Sequence, residues 1–115
     1  MPSLTSYQPI VALVSTTIAN TATTSAAVDL QGATLCGIHL PAAFTGTSIS
    51  FSVAAASGGT YQTLQRNGSD YSVTVAQGKY VSLDPAIFAG VQFLKIISGS
   101  AEAADRTLNL AVRPV

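Results

Sequence analysis

Residues 48–75 read SISFSVAAASGGTYQTLQRNGSDYSVTV, and this stretch decides the fold class. Ile49, Phe51 and Val53 alternate with three serines. Because successive side chains of a β-strand point to opposite faces, one face of this strand is apolar and the other carries hydroxyls. The glycines at 58–59 turn the chain, and Asn-Gly at 67–68 is a strong hairpin signal, since a type I′ turn needs two positive φ angles. The stretch therefore predicts antiparallel strands.

Similar patterns extend on both sides of this stretch. They predict strands at residues 10–18, 33–40, 47–55, 61–65, 71–75, 80–83, 91–97 and 106–113, and a short strand leading into Leu30. One helical turn is predicted between the strands at 80–83 and 91–97, with Asp84 as N-cap, Pro85 at the first position and Gly90 as the stop. Eight or nine short strands without an amphipathic helix predict an all-β antiparallel β-sandwich of jelly-roll type. Residues 1–8 are predicted to form an N-terminal arm, and residues 9–115 a single β-sandwich domain.

The composition is neutral and rich in small side chains. Charged residues make up 9% of the chain, against about 25% in an average soluble domain. Ser, Thr and Ala contribute 44 of the 115 residues, and five basic residues balance five acidic ones. Such a chain is not steered toward nucleic acid or a membrane, and its copies repel one another little. We expect partners that are neither nucleic acid nor membrane.

No arrangement of reactive side chains indicates catalysis. Cys36 and His39 are three residues apart on a predicted strand, so we expect them on opposite faces, where they cannot share a metal or act as a nucleophile pair. Arg106 is expected to pair with its neighbour Asp105. The carboxylates are dispersed along the chain, at Asp29, Asp70, Asp84, Glu102 and Asp105. We therefore predict no enzyme activity, no catalytic residue, no metal site and no cofactor.

Tyrosines are the candidates for a ligand surface. Tyr61, Tyr71 and Tyr80 could stack on sugars, with amides and a carboxylate close in sequence. Tyrosines are also ordinary strand residues, and packing in the sheets is the competing interpretation. A carbohydrate-binding module that recognises the host from a phage fibre is the alternative function.

Much of the chain resembles a protein family. The segments LCGIHLPAAFTGTSISFSVAAASGGTYQTL (35–64), YSVTVAQGKYVSLDPAIFAGVQFLKIISG (71–99) and AADRTLNLAVRP (103–114) resemble small proteins encoded among the head and neck genes of tailed bacteriophages. Shared features include the Pro-Ala-Ala-Phe at 41–44, Leu-Asp-Pro at 83–85 and Arg-Thr-Leu at 106–108. The resemblance implies a β-rich virion component, made in the host cytoplasm and placed on the head surface. It would decorate the capsid or form the base of a head fibre or vertex spike.

Two sets of residues are the expected assembly contacts. A homo-oligomer and the major capsid protein or other virion proteins are the expected partners, and small side chains allow their surfaces to approach closely. The seryl face, defined as Ser48, Ser50 and Ser52, is one candidate contact. Apolar residues of the N-terminal segment are the other, and they are Leu4, Tyr7 and Ile10.

Overall fold

The computed structural model describes residues 11–114, where it contains eleven β-strands and one short 3₁₀ helix. The strands are β1 (Ala12–Ile18), β2 (Val28–Asp29), β3 (Ala33–His39), β4 (Ser48–Ala54), β5 (Gln62–Thr63), β6 (Gln65–Arg66), β7 (Ser69–Asp70), β8 (Ser72–Thr74), β9 (Tyr80–Ser82), β10 (Phe93–Ser98) and β11 (Arg106–Pro114). The 3₁₀ helix spans Pro85–Phe88. Every strand pairing is antiparallel, which confirms the predicted all-β class. The number of strands exceeds the predicted eight or nine because the chain from β5 to β8 is broken into four short strands rather than two.

Two main sheets enclose one apolar core in a sandwich-like arrangement. Sheet A has the order β1-β11-β3-β9, and sheet B has the order β2-β10-β4-β5, with β8 also paired to β4. Strands β6 and β7 form a separate hairpin. The first four strands alternate between the two sheets, as do β9, β10 and β11. The more specific jelly-roll assignment stays a prediction.

Side chains from both sheets fill the core. Sheet A contributes Leu35, Ile38, Leu108 and Leu110, and sheet B contributes Ile49, Phe51, Leu94 and Ile96, all essentially inaccessible to solvent. The 3₁₀ helix adds Phe88, whose ring meets that of Phe51 edge-on at 5.1 Å between centroids. Burying one such ring stabilises the fold by about 1.5–3 kcal/mol. The core therefore spans both sheets and the short helix.

Several local predictions from the sequence are confirmed. In β4, Ile49 and Phe51 are buried, and Val53 packs against the core although it is partly exposed. The Asn67-Gly68 turn joins β6 to β7 with φ angles of 56° and 81°, the two positive values that the sequence required. The Asp84 side chain accepts the Ala86 N–H at 3.0 Å and caps the 3₁₀ helix.

Other local predictions need correction. The 3₁₀ helix ends at Phe88 with Ala89 as its right-handed C-cap, so Gly90 is not the stop. Strand β10 spans Phe93–Ser98 rather than the predicted 91–97, and its side chains alternate between half-buried and buried. The first predicted strand included Ile10, which lies outside the described residues, and β1 starts at Ala12.

A β-bulge in β3 corrects the predicted faces of Cys36 and His39. The register with β11 shifts between Ala111 and Val112, which leaves Cys36 as the extra residue of β3. Leu35 and Ile38 are both buried despite their separation of three, because the bulge interrupts strict alternation. Cys36 and His39 therefore share the outer side of sheet A. The Cys36 thiol contacts the Thr34 carbonyl at 3.6 Å.

Candidate functional site

The seryl face lies on the outer side of sheet B. The register pairs Ser50 with Ser72 of β8 and with Ile97 of β10, and it pairs Ser52 with Lys95. Opposite residues of an antiparallel pair share a face, so hydroxyls, one apolar side chain and one ammonium group surround the central serine row. All three serines are half-buried. Small side chains there leave the backbone of the sheet close to the surface.

Lys95 is held beside the seryl face by an aromatic ring. Its ammonium nitrogen lies 4.4 Å from the centroid of the Tyr61 ring. A cation over an aromatic face gains about 0.5–1 kcal/mol at an exposed site. The charge of Lys95 is therefore partly satisfied within the molecule.

The three candidate tyrosines have different neighbours and do not form one aromatic platform. Tyr71 points inward, with its ring stacked on Phe51 at 5.9 Å and edge-on to Phe88 at 6.1 Å. Tyr61 lies over Lys95 on sheet B. Tyr80 belongs to β9 of sheet A, is 47% exposed, and has its ring 4.5 Å from that of His39.

Of the other candidate contacts, Leu4, Tyr7 and Ile10 lie outside the described residues.

A buried carboxylate connects three loops at one end of the sandwich. Glu102 is 1% exposed, and its two oxygens accept the N–H groups of Thr45 at 2.9 Å and Gly46 at 3.1 Å. They also accept the Ser98 hydroxyl and the Arg106 Nε–H, each at 3.0 Å. The backbone of Glu102 is bonded to the loop after β1: its carbonyl accepts the Thr21 N–H and its own N–H bonds the residue 22 carbonyl. One residue thus joins the loops before β2, β4 and β11, the first through its backbone and the others through its side chain.

The charged form of Glu102 is favoured by these donors. Burial alone raises the pKa of a carboxyl, but the hydrogen bonds from Thr45, Arg106, Ser98 and Gly46 outweigh burial and lower the pKa of Glu102 below its ordinary value. Donors aimed at both oxygens stabilise the anion more than the neutral acid. The arrangement fits a structural anchor, since the donors belong to the loop before β4 and to the ends of β10 and β11.

The predicted pairing of Arg106 with Asp105 is wrong. Arg106 pairs with Glu102, and its side chain is only 14% exposed. Asp105 instead accepts the backbone N–H of Asn20 at 2.8 Å at an exposed position. The sequence signal that was missed is the spacing of four between the carboxylate and the arginine, with only Ala and Asp between them.

An open groove of about 510 Å³ lies beside the start of β1. Its lining consists of Ala12, Val14, Asp29, Leu30, Gln31, Gly32, Ala33 and Val112. Within residues 11–114, no group of three or more His, Cys, Asp or Glu side chains is placed to hold a metal ion. The described part of the chain also contains no helix long and apolar enough to cross a membrane.

Comparison with known proteins gives no assignment. No protein-family model matches the chain, and no curated protein matches it. The functional argument therefore depends on the residues themselves.

Proposed function

We propose that the protein is a non-enzymatic structural component of a tailed-phage virion that decorates or stabilises the capsid, or forms the base of a head fibre or vertex spike. The observation that carries the proposal is the seryl face of sheet B. It presents a row of small hydroxyl side chains, each half-buried in the single chain. Small side chains let a neighbouring subunit approach closely, and they lose little side-chain entropy on burial.

The electrostatics support packing in a repeated assembly. The net charge is zero, and Lys95, the ammonium beside the serine row, already lies over Tyr61. Identical subunits therefore meet without strong repulsion on this face. In this proposal the two sheets follow a jelly-roll path, an architecture common in viral capsid proteins, and that support is by fold analogy alone.

The alternative, a carbohydrate-binding module, has weaker support. A stacking platform needs several aromatic faces exposed together. Tyr71 is partly buried and packs against the core, and Tyr61 and Tyr80 are associated with different sheets. Sugar binding would therefore fall on single tyrosines. A glycan array with the purified protein tests this alternative, and a specific glycan whose signal is lost in Tyr61→Ala or Tyr80→Ala would favour it.

The experiment on the seryl face compares matched lysine variants. Ser48, Ser50 and Ser52 are changed together to lysine, and Ser50→Lys is made alone in case the triple variant is unstable. The control carries lysine at Ser57, Ser69 and Ser100, which are exposed and outside β4. Immunoblots of purified particles from host cells carrying each gene measure incorporation.

The proposal predicts loss of incorporation for the β4 variants while circular dichroism shows an unchanged fold. The control variant should enter particles at the wild-type level. Normal incorporation of the folded β4 variants would remove the seryl face as an assembly contact.

The N-terminal segment provides an independent test. Deletion of residues 2–8 is expected to leave a folded protein that fails to attach to particles, because Leu4 and Tyr7 are removed. Normal attachment of the truncated protein would contradict a role for these side chains.

A further inference from the structure

Strand β1 lies at one edge of sheet A, and only half of its free backbone edge is covered by another part of the chain. At its C-terminal end, β1 is protected: the Thr17 carbonyl accepts the Ala26 N–H at 3.0 Å, and the Thr16 hydroxyl donates to the Ala26 carbonyl at 2.8 Å. Alternate residues of a strand direct their N–H and C=O groups to the same edge. Leu13 and Ser15 therefore direct theirs outward, as Thr17 does. Within residues 11–114 these groups have no backbone partner.

Exposed apolar side chains occur on the same segment. Leu13 is 62% exposed and Val11 is 52% exposed, and the third exposed large hydrophobic residue of the described chain, Tyr80, lies on the same outer side of sheet A. Natural edge strands are commonly protected from pairing by charged side chains, by proline or by short length. β1 has seven residues and none of these protections. The other edge strand of sheet A, β9, has three residues and follows Lys79.

We propose that residues 11–15 pair with the same residues of a second copy, antiparallel about a twofold axis at Leu13, so that two A sheets become one continuous sheet. The inference rests on the proposed function, in which copies of the chain pack together, and it names one of their contacts. Leu13 exchanges both hydrogen bonds with its own counterpart, and Val11 lies opposite Ser15. The pairing brings the two Leu13 side chains together on the outer face.

The absence of charge and the length of the free edge both favour a second copy of the chain as the partner of residues 11–15. No residue from 11 to 18 is charged, so two copies oppose no like charges across the axis. Toward its C-terminal end the free edge stops where Ala26 covers Thr17. Toward the N-terminus, Pro9 carries no N–H, so a ladder cannot continue through it. Five residues centred on Leu13 are left for pairing, and a twofold axis through their centre uses all of them.

A charge at the axis tests the pairing. Leu13→Lys places two ammonium groups opposite each other, while Asn109→Lys is the control, exposed on the same outer side of the sheet but on the central strand β11. Sedimentation equilibrium of the full chain should show at least a tenfold weaker dimer contact for Leu13→Lys. Asn109→Lys should associate like the wild type, and circular dichroism checks that both variants fold.

Disulfide trapping tests the register. In a Cys36→Ser background, Leu13→Cys places two thiols across the axis, where the Cα atoms are about 5.5 Å apart, within the range that a disulfide spans. Ser15→Cys is the matched control, because Ser15 lies about 14 Å along the strands from its counterpart. We expect oxidation to give a covalent dimer for Leu13→Cys and not for Ser15→Cys.

Three results overturn the inference. One is unchanged association of folded Leu13→Lys, and another is equal cross-linking at positions 13 and 15. The third is a monomeric wild type that dimerises after deletion of residues 2–8, which would assign the edge to the chain's own N-terminal segment. If Leu13→Lys still associates and still enters particles, this contact fails while the proposed function stands. Failure of the wild type to enter particles would count against the proposed function instead.

Discussion

Replacement of Glu102 by glutamine is predicted to be severely destabilising although the side chain keeps its shape. The amide has one acceptor oxygen in place of two, and its NH₂ group faces N–H or O–H donors that served the carboxylate. Arg106 is left as a nearly buried charge without its partner. Breaking a buried ion pair from one side costs about 3–5 kcal/mol. Domains of this kind have about 5–15 kcal/mol of stability in total, so the loss is a large share.

Thermal and urea unfolding of Glu102→Gln measure this cost. For a chain of this length, a loss of 3–5 kcal/mol lowers Tm by roughly 10–20 °C. The matched control is Asp105→Asn, three residues away. It removes an exposed carboxylate that accepts only the Asn20 N–H. The control should lose at most about 1 kcal/mol. Equal losses in the two variants would refute the assignment of Glu102 as the anchor of three loops.

Glu102 also makes the stability of the folded protein depend on pH, and the direction of this dependence can be predicted. Hydrogen bonds lower the pKa of Glu102 in the folded protein, so its contribution is fully present above the unfolded-state pKa of about 4.3. The contribution is lost as the pH falls through the lower folded-state pKa. The stability gap between wild type and Glu102→Gln should therefore narrow in acid below about pH 4. A gap that stays constant from pH 7 to strongly acidic conditions would contradict the favoured charge.

Three further predictions concern stability and are checked by urea unfolding. Gly68→Ala should cost about 1–2 kcal/mol because the residue has a φ of 81°, whereas Gly90→Ala, with open space around its Cβ position, should be nearly neutral. Phe88→Ala should cost about 3–5 kcal/mol because it empties the aromatic centre of the core. Gly37→Ala should be destabilising because its Cβ would collide with the Tyr80 ring. Adding Tyr80→Ala should recover part of that loss, and strictly additive losses would contradict the contact.

Local patterns in the sequence predicted the fold class because they depend on neighbouring residues. Alternation in β4 and the positive φ angles at Asn67-Gly68 follow from side-chain direction and turn geometry alone. The strand break between β5 and β8 was missed because its residues are mostly polar and exposed, which leaves no apolar period to read. The bulge at Cys36 was missed because alternation was assumed to continue through β3.

Apart from the spacing of four between Glu102 and Arg106, the important polar contacts depend on tertiary structure and could not be predicted. Glu102 looked like one of several dispersed carboxylates, because its donors at Thr45 and Gly46 are more than 50 residues away. The exposed side of β1 was equally hidden, since Val11, Leu13 and Val14 are all apolar and show no alternation. Only the pairing with β11 shows that Leu13 faces outward.

The most direct test of the assembly role is the solution mass of the purified wild-type chain by light scattering, measured beside its co-sedimentation with empty capsids of the parent particle. The proposed function predicts a defined oligomer that sediments with capsids at a fixed stoichiometry. A monomer at all concentrations that stays in the supernatant would contradict it.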